Sequence, residues 1–244
     1  MHHNDKMLTY IKKTDAIIFG DNTLWRNNIT SKLCTKMALN GILNLEFNGP
    51  INLFYGAYEA NRMLRTDPEA NIEALMLQYR AISVANISRK KMFKHMICYM
   101  RRNSSEEVSH IAQESKNRKI IATLCGSTIA SGAMRVHRVD WRVSNRDIFN
   151  AGKISGIDIK IADGEDKLDK VERKLYKHRM LLRNCTVIGG DATDIPLMME
   201  AEISIASPHA THEVKSVASA QMEYYSKDFS RYNLLEIYNG HAIE

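Results

Sequence analysis

The strongest constraint on the fold is a pair of short apolar runs, far apart in the chain, that each stop at glycine and aspartate. Ala16-Ile17-Ile18-Phe19 leads into Gly20-Asp21-Asn22-Thr23, and Thr186-Val187-Ile188 leads into Gly189-Gly190-Asp191. Runs that are apolar at successive positions, not alternate ones, suit strands buried on both faces of a parallel sheet. A third run, Lys119 to Leu124, stops at Cys125-Gly126-Ser127. Open α/β sheets bind ligands at the carboxyl ends of their strands, so three polar strand ends are expected to converge on one site.

Between the first and third runs the period changes. Met92, Phe93, Met96, Ile97 and Met100 form an apolar stripe at helical spacing, and Ile72, Leu75, Met76, Tyr79 and Ile82 form another. Both stripes suit packed helix cores better than ligand contacts. Asp67-Pro68 suits a helix start, and Ser104 to Glu107 suits a capping box. The expectation is an α/β chain: a Rossmann-like parallel-sheet core from residues 1–27 and 117–244, with a helical cap inserted over 28–116. Beyond Cys125, residues 157–161 suit a strand, 165–181 a helix carrying Leu168, Val171, Leu175 and Arg179, 195–201 a helix and 203–206 a strand. The polar and aromatic stretch from Ser226 to Glu244 has no clear pattern.

A chain of 244 residues can bury a substantial core, and its 25% charged and 44% hydrophobic composition excludes wholesale disorder. The apolar runs are too short to cross a bilayer, and Met1 to Lys13 lacks the apolar core of an export signal, so a cytoplasmic chain is expected. Cys34, Cys98, Cys125 and Cys185 are scattered, which suits free thiols in a reducing compartment. The formal charge of +6 favours anionic partners. With basic residues spread along the sequence and few aromatic platforms, nucleic acid is not the expected partner. His209 and His212 flank no second ligand at metal spacing.

Phosphoryl transfer from a monoester needs a nucleophile, a proton donor and positive charge on the phosphoryl oxygens. A carboxylate nucleophile additionally needs a cation to offset its repulsion from phosphate, and Mg²⁺ held by oxygen ligands is the usual one. Strand ends carrying Asp21, Asp191 and Asp194, with Lys167 on a following helix, would supply most of this set.

The segment Ile17-Ile18-Phe19-Gly20-Asp21-Asn22-Thr23-Leu24 resembles the first motif of the haloacid dehalogenase superfamily. Val187 to Ala201, with Ile203-Ser204-Ile205-Ala206 after it, resembles the fourth motif. Lys167 resembles the third-motif lysine, and the strand ending at Cys125 the second motif. The order covers residues 14 to 210, and the helical block sits where this superfamily places a C1-type cap. The resemblance implies a Mg²⁺-dependent phosphohydrolase acting on a small phosphorylated metabolite. Asp21, Asp191 and Asp194 would hold the metal, Lys167 would offset phosphate charge, and Cys125 or Ser127 would orient the phosphate.

The departures from the pattern are specific. The first motif carries two Asp residues one apart. Matching Asp21-Asn22-Thr23-Leu24 to its second half puts Asp21 in the acid/base position and Phe19 in the nucleophile's place. Counting back from Asp194 leaves Gly190 where the first fourth-motif Asp belongs. Two accounts stay open. In one, Gly20 and Gly190 lengthen their strand ends, so Asp21 is the nucleophile and Thr23 falls at the acid/base position. In the other, the nucleophile is lost and the chain is a catalytically inactive binder of a phosphorylated ligand or a protein partner. Plainer roles compete throughout: Asp21 as a turn former, Asp194 as a helix cap, Lys167 as one of a solvated charged run with Lys170 as its rival, and Cys125 as a core thiol.

Overall fold

The computed structural model describes residues 11–25, 29–43, 49–66, 70–222 and 234–235. Strand β1 (Ala16–Phe19) is followed by helices α1 (Ile29–Leu43), α2 (Gly49–Thr66), α3 (Asn71–Val84), α4 (Arg89–Asn103) and α5 (Glu106–Glu114). The chain returns to the sheet with β2 (Arg118–Gly126), α6 (Ser127–His137), β3 (Trp141–Asn150) and β4 (Lys153–Asp158). It continues through α7 (Gly164–Tyr176), β5 (Thr186–Gly189), α8 (Ile195–Glu200), β6 (Ile203–Ala206), α9 (His212–Val217), β7 (Ala220–Met222) and β8 (Leu234–Leu235).

The strands form one sheet in the order β4-β3-β2-β1-β5-β6-β7-β8. The pairings from β3 through β7 are parallel, and β3–β4 and β7–β8 are antiparallel. The fold is therefore α/β with a mostly parallel, Rossmann-like sheet. Alternation in β1 shows how both faces fill. Ile17 and Phe19 pack with Leu33, Ile82, Met96 and Ile129, whereas Ala16 and Ile18 pack with Val171, Leu175, Leu197 and Val214. Helices thus cover each face, which is why the strand reads as a solid apolar run. β1 lies between β2 and β5, so the chain leaves it towards opposite sides of the sheet, and the crevice at that reversal is where such sheets place a site.

Several local expectations shift. Met92, Met96 and Met100 are buried, but Met76 is 55% exposed and Gln78 takes the inward position on α3. The α5 cap is Ser105, whose hydroxyl accepts from Val108 N and donates to Glu107, while Ser104 bonds back to the Met100 carbonyl. α7 ends at Tyr176, with Arg179 left-handed at φ 59° in the turn beyond it, so Arg179 is no part of a helical stripe. The strand expected at 157–161 lies earlier, at Lys153–Asp158, as the second arm of a hairpin with β3. Asp67-Pro68 and most of the stretch from Ser226 lie outside the described residues. No helix among the described residues is long and apolar enough to cross a membrane.

Candidate active site at the ends of β1, β2 and β5

Asp21 follows β1 in a turn closed by Thr23, whose buried hydroxyl donates to the Gly20 carbonyl at 2.8 Å. Asn22 takes the left-handed conformation at φ 57°, which asparagine tolerates better than most residues. The Asp21 carboxylate accepts from the Thr123 hydroxyl, from Leu124 N at 3.0 Å and from Lys167 Nζ at 2.8 Å. Thr123 reaches it through strand register. Phe19 pairs with Ile121, so Thr123 lies two residues further on, at the end of β2 beside the turn after β1.

Lys167 is the one inward-pointing residue of its charged run. It is wholly buried, while Lys170 stays half-exposed and pairs with neighbouring Asp169. Its ammonium donates to Asp21, Asp194 and Thr193 Oγ1, each at 2.8 Å, which uses all three protons. Burial alone would push its pKa down. The carboxylates of Asp194 and Asp21 outweigh that and hold it above the ordinary lysine range.

Asp194 is also wholly buried. Besides Lys167 it accepts from Gly190 N at 2.9 Å, Asp191 N at 3.1 Å and Asp21 N at 3.3 Å, so one carboxylate ties the turn after β1 to the turn after β5. Burial drives its pKa up, Lys167 opposes the rise, and the nearby Asp21 and Asp191 carboxylates add to it. Asp194 holds the N-cap position of α8, as expected, but its side chain makes no cap bond there. Asp191 caps the short turn Ala192–Asp194, accepting from Thr193 N and sharing a reciprocal capping box with Asp194. The other Asp191 oxygen accepts from the Asn22 amide at 3.2 Å.

Of the remaining expected site residues, Ser127 bonds elsewhere and Cys125 borders the Asp21 cluster, its backbone N donating to Thr123 Oγ1 at 3.1 Å. Ser127 donates to Asp147 of β3, which also accepts from Thr128 N at 2.6 Å and Tyr79 Oη at 2.7 Å. This buried group ties α3 to the sheet and to the start of α6. Cys125 Sγ lies 3.6 Å from Thr30 Oγ1, and burial, then the Asp21 charge, push its thiol up to about 12. It therefore carries no thiolate at neutral pH. Phe19 is wholly buried in the core. Thr123 was not expected from the sequence; its signal was a single hydroxyl near the end of an otherwise apolar strand.

Mg²⁺ takes oxygen ligands in near-octahedral array and keeps positions open for water and substrate. The arrangement of Asp21, Asp191 and Asp194 does not fit it. Asp194 is saturated by backbone amides and Lys167, both Asp21 oxygens accept protein donors, and Asp191 faces Asn22 and Thr193. Among the described residues no three Asp, Glu, His or Cys side chains are placed to share a metal ion. The loops are also closed against each other. A Cβ on Gly190 would lie 2.5 Å from the Asp21 carbonyl oxygen, and one on Gly20 would lie 2.3 Å from the Asp194 carboxylate. An aspartate at 190 has no room while the turns sit this way.

No protein-family model and no curated protein sequence matches the chain. Solved structures do. A substrate-bound phosphoserine phosphatase complex aligns at TM-score 0.65 and 18% identity over 87% of this chain and 94% of that one. A phospho-aspartyl intermediate analogue of phosphoserine phosphatase aligns at TM-score 0.65 and 18% identity over 87% and 95%. A HAD family hydrolase from Salmonella enterica serovar Typhi aligns at TM-score 0.66 and 12% identity over 87% and 68%. The chain thus has the haloacid-dehalogenase-like fold, and the named neighbours that share it are phosphatases and hydrolases.

Proposed function

We propose that this chain is a haloacid-dehalogenase-fold protein without metal-dependent phosphoryl transfer, working as a binding module. The observation that carries the reading is the buried Lys167 ammonium held between Asp21 and Asp194. A protein cation already offsets the two carboxylates that a catalytic metal would need. Among the described residues, backbone donors at the strand ends are spent on internal carboxylates, Leu124 N on Asp21 and the amides of Gly190 and Asp191 on Asp194. In one of the two motif alignments Phe19 stands at the nucleophile's place, where a phenyl ring cannot attack phosphorus. The described helices of the block, whose Leu33, Ile82 and Met96 share a core cluster with Ile17 and Phe19 of β1, would then serve as the docking element.

A second reading is favoured by the place of Asp21 at the end of β1, where its carboxylate accepts from Leu124 N at the end of β2 at 3.0 Å, and by the phosphatase neighbours. It makes the chain a Mg²⁺-dependent phosphohydrolase of a small phosphorylated metabolite, with Asp21 as nucleophile. That reading requires the turns after β1 and β5 to rearrange before a metal could bind. Thermal melting in rising Mg²⁺ separates the two. The binding-module reading expects no Mg²⁺-specific rise in Tm beyond that given by matched ionic strength. A saturable rise that Asp21→Asn removes would establish the metal site and favour the phosphohydrolase.

A further inference from the structure

Arg118, Arg173, Lys174, Lys177, Arg179 and Arg183, spread out in sequence, lie at the amino ends of β2, β3 and β5, the end of the sheet opposite Asp21. Arg118 opens β2 and Trp141 opens β3. The Trp141 ring stacks on His178 with centroids 3.8 Å apart and an interplanar angle of 12°. The Arg118 guanidinium lies 5.7 Å and the Lys174 ammonium 5.5 Å from the same ring centre. The turn that ends α7 is closed by His178 N to Leu175 O, Arg179 N to Tyr176 O and Met180 N to Leu175 O. It holds Tyr176 out, 79% exposed, next to exposed Lys177, Arg179 and Arg183. Beside it opens a cleft of about 570 Å³, floored by Leu175, Leu182 and Met180 and edged by Tyr176, Arg173 and Lys177.

We propose that this end of the molecule binds single-stranded nucleic acid. Cations and flat rings alternate along the turn: Arg173 and Lys174, then Tyr176, Lys177, His178 and Arg179. A ligand that alternates phosphate and base matches that alternation, with bases stacked on rings or seated on the apolar floor and phosphates on the cations. An acidic peptide would meet the charge but has no general use for the rings. Carboxylates at this end include Asp15, Asp140, Asp169, Glu172 and Glu202. Asp140 is drawn to Arg118 at 3.7 Å and Asp169 to Arg173 at 2.7 Å, which leaves Lys174, Lys177, Arg179 and Arg183 as the cations for phosphate. The chain's overall +6 supports the same partner through long-range attraction. Because the surface lies across the sheet from Asp21, its occupancy is independent of whether that site turns over phosphate.

The test is fluorescence anisotropy of a labelled oligouridine against the full chain. Expected is binding that weakens by at least about tenfold between roughly 50 and 200 mM salt, as counterion release requires. Tyr176→Ala should weaken it by about fivefold or more, the loss of one stacked base. The pair Lys177→Glu and Arg179→Glu should abolish it, while the equal charge change Lys90→Glu and Lys94→Glu on α4 should leave most of it. All of these positions are exposed, and circular dichroism checks that each variant folds. Absence of binding by the wild type, equal losses from the two charge reversals, or tighter binding of polyglutamate than of oligouridine would each overturn the proposal.

Discussion

Lys167 Nζ and Asp194 Oδ1 lie 2.8 Å apart with both side chains wholly buried. A buried ion pair is costly to form, but removing one partner is costlier still, because it strands the other charge. Lys167→Met leaves Asp194 and Asp21 without their shared cation. It should lower unfolding free energy by about 3–5 kcal/mol, read from urea midpoints. Adding Asp194→Asn should cost far less than the sum of the two single changes. Additive losses would mean that the two residues act separately.

Gly20 and Gly190 are required by close approach of the turns, not by unusual backbone. Their missing Cβ atoms are what let Asp194 and the Asp21 carbonyl come so near. Gly20→Ala and Gly190→Ala should each destabilise by about 1–3 kcal/mol, as overpacking does. Thermal melting checks this, and an unchanged Tm for both would show that the turns are looser than described.

His137 is buried between Ser104 and Ser109, whose hydroxyls lie 3.2 and 3.3 Å from its two ring nitrogens. Burial lowers its pKa from 6.5 to about 4. The unfolded chain therefore takes up a proton at this residue before the folded chain does. The neutral-imidazole contribution is full above the unfolded value and is lost as pH falls from 6.5 towards 4. It amounts to at most about 3 kcal/mol. His137→Gln should flatten that part of the stability–pH curve relative to wild type. Parallel curves for the two proteins would remove His137 as the cause.

Asp147 receives hydrogen bonds from Tyr79, Ser127 and Thr128 N, and the Tyr79 bond fastens the helical block to the sheet. Burial, and then the Asp147 charge, raise the Tyr79 pKa, so the phenol stays protonated and donates. Tyr79→Phe should cost about 1–3 kcal/mol, since it leaves a buried carboxylate oxygen short of a donor. Hydrogen exchange should show the loss concentrated in α3. Uniform loosening across the sheet would argue against a local tether.

The core strands were legible in the sequence because parallel strands covered on both faces carry unbroken apolar runs. β1, β5 and β6 were readable for that reason, and the helical block was readable from its 3.6-residue period. β3 was not, because its inward positions include Asn145 and Asp147, whose partners come from distant segments. Asp21, Lys167 and Asp194 do meet, as the motif order suggested. What the motif could not show is that they satisfy one another. Thr123 was hidden inside an apolar run, and Ser127 was drawn from the site by Asp147, a pairing that only the fold creates.

The most direct test of the central claim is hydrolysis of an aryl phosphate by the folded wild type and Asp21→Asn across a range of Mg²⁺ concentrations. A site closed by Lys167 predicts no metal-dependent turnover by either protein. Turnover that rises with Mg²⁺ in the wild type and vanishes in Asp21→Asn would contradict it, and would make Asp21 the nucleophile of a working phosphohydrolase.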